Sequence, residues 1–75
     1  MKLEDIVSAV TGVPAGELND EAGRATLPEW DSMAHINLIT AVEETYSVSF
    51  TIEEIQEVNT VGGLRALLQQ KGAAA

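Results

Sequence analysis

Most of the apolar residues in this chain recur at helical spacing, and the first such cluster is closed by a glycine and a proline. Leu3, Ile6, Val7 and Val10 fall at i, i+3, i+4 and i+7, with Glu4, Asp5 and Ser8 facing away. Gly12 suits the left-handed stop of that first helix, and Pro14 prevents its continuation. At about 100° per residue, Leu38, Ile39, Val42 and Tyr46 share one face with His35 among them, while Met33, Ile36, Asn37, Thr40, Glu43 and Glu44 cover the other. The pattern predicts a second helix from about Ser32 to Tyr46, with Asp31 as its N-cap. Thr51-Ile52-Glu53-Glu54 reads as a capping box opening a short third helix to about Glu57. Thr60 can cap a fourth, striped by Val61, Leu64, Leu67 and Leu68, whose first turn Gly62 and Gly63 weaken by about 1 kcal/mol each relative to alanine.

Val48 and Phe50 alternate with Ser47 and Ser49 as a strand would, but no second strand exists for them to pair with. An extended link that buries both is the expectation. The sum is an all-α four-helix bundle around one aliphatic core, with three main helices, one short third helix and a long first loop. A single domain over residues 1–72 is expected, followed by a frayed tail at 73–75. The first loop, Val13 to Glu29, carries Pro14, Gly16, Asn19, Asp20, Gly23 and Pro28. Connections of this length in small domains are often functional. Leu18, Leu27 and Trp30 are its expected anchors, and Leu27-Pro28 holds Leu27 extended, so the second helix cannot start earlier.

A chain of 75 residues buries only about 60% of its unfolded surface, so its stability is marginal. It has no cysteine and no zinc pattern to reinforce the core. No apolar run approaches the length of a bilayer span, and the Met1-Lys2-Leu3 start leads straight into a helix, so a soluble cytoplasmic monomer is expected. Twelve acidic against four basic residues give a net charge of −8. Such a surface repels nucleic acid and anionic membranes and steers basic protein surfaces toward it.

Asp31-Ser32-Met33 stands where the turn-rich segment gives way to the second helix. A phosphate attached to Ser32 would lie near unpaired N–H groups at the positive end of the helix dipole. His35 lies three residues on, about 60° round the helix, so a Ser32–His35 pair is conceivable. Nothing evident orients the imidazole or forms an oxyanion hole, and G-x-S-x-G is absent. His35 otherwise belongs to the core edge beside Ser32, or has a part in shaping a cavity or contacting a tethered group there. Trp30 admits two readings, a core anchor or an exposed contact beside Ser32. Asn19 to Gly23 lacks the alternation of an EF-hand loop, and no specific metal site is expected. Lys2, Arg24, Arg65 and Lys71 are scattered and make no nucleic-acid patch.

These residues resemble the acyl carrier protein family, including the carrier domains of polyketide and peptide synthesis. The resemblance spans nearly the whole chain. It rests on Asp31-Ser32-Met33 opening a long second helix, Glu43-Glu44 and Tyr46 near its end, Thr51-Ile52-Glu53-Glu54, and Asn59-Thr60-Val61. It implies the acyl-carrier fold, with no catalysis of its own. It implies that a phosphopantetheinyl transferase attaches 4′-phosphopantetheine from coenzyme A to Ser32, with Asp31 assisting recognition. The thiol of that arm would carry acyl groups as thioesters to acyl-activating, acyl-transferring and biosynthetic enzymes with basic docking surfaces. Met33, Ile36, Asn37, Thr40, Glu43, Glu44, Glu53 and Glu54 are the candidate partner-binding residues. Val7, Ile39, Val42 and Val61 either line a cavity for cargo or pack as ordinary core.

The chain departs from the common pattern at four points. Met33 replaces the commoner leucine, Trp30 stands where small residues are usual, and Ala34 and Asn37 occupy positions often acidic in carriers of fatty acid synthesis. These departures point to a specialised free-standing carrier, and the missing glycine-rich approach to the serine disfavours a peptidyl carrier. The alternative is an unmodified acidic helical adaptor that binds partners through the second-helix face.

Overall fold

A computed structural model describes residues 2–73 of the chain. Four α-helices follow one another: α1 (Leu3–Thr11), α2 (Ser32–Tyr46), α3 (Ile52–Glu57) and α4 (Val61–Gln70). A single turn of 3-10 helix at Ala15–Glu17 interrupts the first connection. Among the described residues there is no strand, only an isolated bridge between Gly23 and Thr60.

Each helix begins or ends where a local side chain or backbone state can satisfy its orphan groups. Gly12 closes α1 in the left-handed region at φ 82°, its N–H donating to Ser8 O. Asp31 caps α2, its Oδ1 accepting the Ala34 N–H at 2.9 Å. Thr51 and Glu54 form a reciprocal capping box on α3. Thr60 Oγ1 accepts the Gly63 N–H at the start of α4. The end of α2 carries no glycine: Ser47 takes the left-handed conformation itself, at φ 55°.

The expected stripes face one core. Leu3, Ile6 and Val7 of α1 meet Leu38, Ile39 and Val42 of α2 and Val61, Leu64 and Leu68 of α4, with α1 packing against both other helices. Val10 and Leu67, at the edges of their stripes, are half-buried. Val7, Ile39, Val42 and Val61 are between 0 and 3% exposed and belong to this close-packed cluster. A shallow groove of about 210 Å³ lies elsewhere, between α3 and α4, lined by Glu54, Val58, Ala66, Leu67 and Gln70. Val48 and Phe50 are half-buried in an extended link, as their spacing suggested.

The long connection is anchored more firmly than its composition suggests. Val13, Leu18, Ala22 and Trp30 are buried, and Leu27 packs half-buried against them. Three backbone hydrogen bonds latch it to the start of α4: Arg24 N–H to Asn59 O, Val61 N–H to Ala22 O, and Gly62 N–H to Asp20 O. The approach is so close that a Cβ on Gly23 would fall 2.0 Å from Asn59 O, and one on Gly62 2.9 Å from Asp20 Cβ. Gly62 is therefore more than a helix-weakening residue, since it makes room for the loop that α4 holds. Arg65 reinforces the seam from α4, pairing with Glu4 of α1 and with Asp20 of the loop. At the far end, Ala73 packs on the core and its N–H donates to Leu68 O. Of the expected tail, Ala74 and Ala75 lie outside the described residues.

Candidate functional site

Ser32 is the first residue of α2, and its side chain is exposed. The turn that precedes it, with the Trp30 N–H donating to Leu27 O, delivers the chain to Asp31 in an extended conformation. Asp31 spends one carboxylate oxygen on the Ala34 N–H, so part of the positive helix end is already neutralised by the residue next to Ser32. Among the described residues one side chain lies within hydrogen-bond reach of the Ser32 hydroxyl: Arg24 Nη2 donates to Ser32 Oγ at 3.1 Å. The latch to Asn59 O holds the backbone of Arg24 in place for this contact.

His35 does not serve Ser32. It is 3% exposed, and both ring nitrogens are engaged elsewhere. Trp30 Nε1–H donates to His35 Nδ1 at 2.9 Å, which makes Nδ1 the acceptor. His35 Nε2 therefore carries the proton and donates it to Ile55 O at 2.7 Å. Ile55 O is one of the last carbonyls of α3, a group with no partner inside so short a helix. The histidine thus ties α2 to the end of α3, and the indole meets it edge to edge, with ring centroids 6.1 Å apart and planes at 28°. The imidazole is oriented after all, but by Trp30 and for a structural task. A Ser32–His35 nucleophile pair is excluded by this commitment of both nitrogens. Trp30, only 2% exposed, is the core anchor of the two readings and presents no contact surface.

The candidate partner-binding residues separate into two groups. Met33 and Ile36 are 73% and 56% exposed, and Asn37, Thr40, Glu44 and Glu53 are exposed with them. Thr40 turns its hydroxyl back to donate to Ile36 O. Glu43 and Glu54 have internal tasks as well. Glu43 Oε2 accepts the Phe50 N–H at 2.8 Å and so pins the link after α2 to that helix. Glu54 Oε1 accepts the Thr51 N–H at 2.8 Å and pairs with Lys71 Nζ at 2.9 Å. The Thr51 N–H first, and the Lys71 ammonium second, hold the Glu54 carboxyl below the usual glutamate range.

Sequence reasoning missed two residues of this region. Ile52 is 70% exposed, an apolar side chain at the first position of α3. The capping box itself was the available signal, because it places Ile52 at the helix start beside Thr51. Arg24 had no such signal: four cations spread through the chain do not say which of them reaches the serine. Among the described residues no group of three or more His, Asp or Glu side chains is placed to hold a metal ion. No described helix is long and apolar enough to cross a membrane.

The chain is similar to known proteins over most of its length. Residues 2–68 match the family described as "Phosphopantetheine attachment site". The chain is also similar to the acyl carrier protein of Acidothermus cellulolyticus, at 27% identity over 60 residues that cover 80% of this chain and 71% of that protein. The family's prosthetic group is 4′-phosphopantetheine, and the chain carrying the match is an all-α bundle. With a match over almost its whole length, the chain belongs to the acyl carrier protein family of phosphopantetheine-bearing carriers.

Proposed function

We propose that Ser32 is the attachment site, and that the chain is a carrier whose partners perform all the chemistry. The observation that carries this reading is an exposed serine hydroxyl at the mouth of α2, beside an N-capping aspartate and with no base of its own. Such a hydroxyl is a substrate rather than a catalyst. In the transfer, Ser32 Oγ bonds to phosphorus as the pyrophosphate P–O bond of coenzyme A breaks. The nucleoside bisphosphate leaves, and the hydroxyl proton passes to a base of the transferase, because His35 has no nitrogen to spare. Once bound, the arm supplies a terminal thiol, which this cysteine-free chain lacks, and acyl groups ride on it as thioesters.

The residues present fit the group. The hydroxyl opens to solvent, no buried side chain blocks an arm leaving it, and Asp31 stands next to it for recognition by the transferase. Met33 and Ile36, exposed and apolar, together with the exposed Asn37, Thr40, Glu44 and Glu53, supply a docking surface for basic partner enzymes. Glu43 and Glu54 contribute charge there while keeping their internal hydrogen bonds. A net charge of −8 raises the on-rate for such partners more than it raises affinity. Ala34 and Asn37 near the arm lower the local acidity, which favours a specialised pathway, polyketide-like or related, over the common enzymes of fatty acid synthesis.

The test is a mass measurement after incubation with coenzyme A and a broad-specificity transferase. The chain gains one phosphopantetheine, and Ser32→Ala abolishes the gain while the helical circular dichroism is unchanged. No gain with several transferases sinks the reading. An adaptor that works unmodified would instead keep its partner binding after Ser32→Ala.

A further inference from the structure

Arg24 is a cation in a strongly acidic chain, yet it reaches a hydroxyl instead of a carboxylate. Among the described residues the ion pairs join Arg65 to Glu4 and Asp20, and Lys71 to Glu54. Arg24 enters none of them. Its backbone is fixed by the Asn59 carbonyl, and its Nη2 lies 3.1 Å from Ser32 Oγ.

We propose that Arg24 is a phosphodiester clamp: once Ser32 is esterified, its guanidinium pairs with the phosphate of the arm and holds the arm's root against the first loop. This rests on Ser32 being the attachment site. After esterification Oγ becomes the bridging oxygen, and the two non-bridging oxygens sit only two bonds further out. A guanidinium already at hydrogen-bond distance from Oγ meets them by a small side-chain rotation. Its planar fork presents several N–H donors, a shape matched to phosphate oxygens.

The electrostatics of the site give this cation a task. The phosphodiester adds a negative charge to a chain at −8, directly beside the Asp31 carboxylate. Asp31 already takes the Ala34 N–H, so the helix end is partly spent before the phosphate arrives. Arg24 supplies the missing positive charge from a different segment. Holding it there requires no ordering of the loop, because the hydrogen bonds to Asn59, Ala22 and Asp20 have ordered it beforehand.

The loaded protein, verified by mass, tests the clamp through its phosphorus resonance, compared between the native chain, Arg24→Gln and Arg24→Lys. Arg24 is exposed and its side chain makes one hydrogen bond, so these variants keep the fold. The native resonance is expected to be shifted and broadened relative to the Gln variant. The Lys variant should fall between them, since an ammonium lacks the fork. Salt at about 1 M, where screening acts within about 3 Å, should move the native signal toward that of the Gln variant. The Nε–H resonance of Arg24 should also shift between the unloaded and loaded native protein. Identical phosphorus resonances in all three proteins, with an unmoved Arg24 signal, overturn the clamp. A native chain that gains no mass defeats the Ser32 reading itself, and that outcome is seen separately at the loading step.

Discussion

Trp30 Nε1–H donates to His35 Nδ1 at 2.9 Å, and this one bond fixes the tautomer through which His35 reaches Ile55 O on α3. The residue just before the capping aspartate is thereby linked to α3. Trp30→Phe keeps an aromatic ring but removes the donor, leaving a buried imidazole nitrogen without a partner. An unmade buried hydrogen bond costs about 1–3 kcal/mol, and the smaller ring adds a cavity, so a loss of about 2–4 kcal/mol is expected. Urea denaturation followed by circular dichroism measures it. A loss below about 1 kcal/mol would show that the bond carries little.

His35→Ala should loosen α3 before the rest of the bundle. No residue of α3 is fully buried, so that helix depends on the half-buried Ile55, the hydrogen bond from His35 and the Glu54–Lys71 pair. Amide exchange at residues 52–57 should accelerate by about tenfold or more relative to the change in α1, corresponding to about 1.4 kcal/mol of local stability. An equal acceleration in both helices would show that the effect is global.

Gly23 and Gly16 make a controlled pair. A methyl group on Gly23 meets Asn59 O at 2.0 Å and forces the loop away from α4, whereas one on Gly16 meets nothing within 4 Å. Gly23→Ala should therefore cost about 3 kcal/mol or more, as overpacking against backbone does at its upper range. Gly16→Ala should be neutral or stabilising by about 0.4–1 kcal/mol through the unfolded chain. Thermal melts of the two variants compare them directly.

The acid limb of stability should report Glu4 and Glu54. Both carboxyls are held below the ordinary glutamate value of 4.5: Glu4 by its own backbone N–H and then by Arg65, Glu54 by the Thr51 N–H and then by Lys71. A depressed folded-state pKa stabilises the fold above the unfolded value, and that contribution is lost as pH falls through the folded one. The window therefore opens near 4.5 and runs downward. Protonating the remaining surface carboxylates relieves repulsion and acts in the opposite sense. Comparison with Glu4→Gln and Glu54→Gln separates the two effects, because each variant should lose less stability than the native chain below pH 4.5. Parallel pH profiles would count against both pairings.

What could be read from the sequence was whatever is decided within one or two turns of chain. Gly12, Asp31, the Thr51–Glu54 box and Thr60 each act on neighbours a few residues away, so their helices start and stop where the spacing says they should. Ser32 shared that legibility, since a serine behind an N-cap needs no distant contact to be exposed. What escaped notice depends on residues far apart in the chain. Gly23 is required because of Asn59, Gly62 because of Asp20, and Arg24 matters because the same loop brings it to Ser32. Glu43 looked like a surface charge because its partner is a main-chain N–H that becomes available only once the link folds back. Trp30 was legible as a core anchor, but not as the donor to a buried histidine.

The seam between the first loop and α4 consists mainly of main-chain atoms from Asp20, Ala22, Arg24, Asn59, Val61 and Gly62. A fastening of that kind ignores most side chains, so the exposed residues Arg24 and Ala25 can be exchanged without unseating the helices, whereas Thr26 Oγ1 accepts the Gly23 N–H and stays. The bundle thus offers a socket into which other short sequences can be grafted beside the serine. A carrier can in this way acquire new manners toward its partners while its scaffold stays as it is.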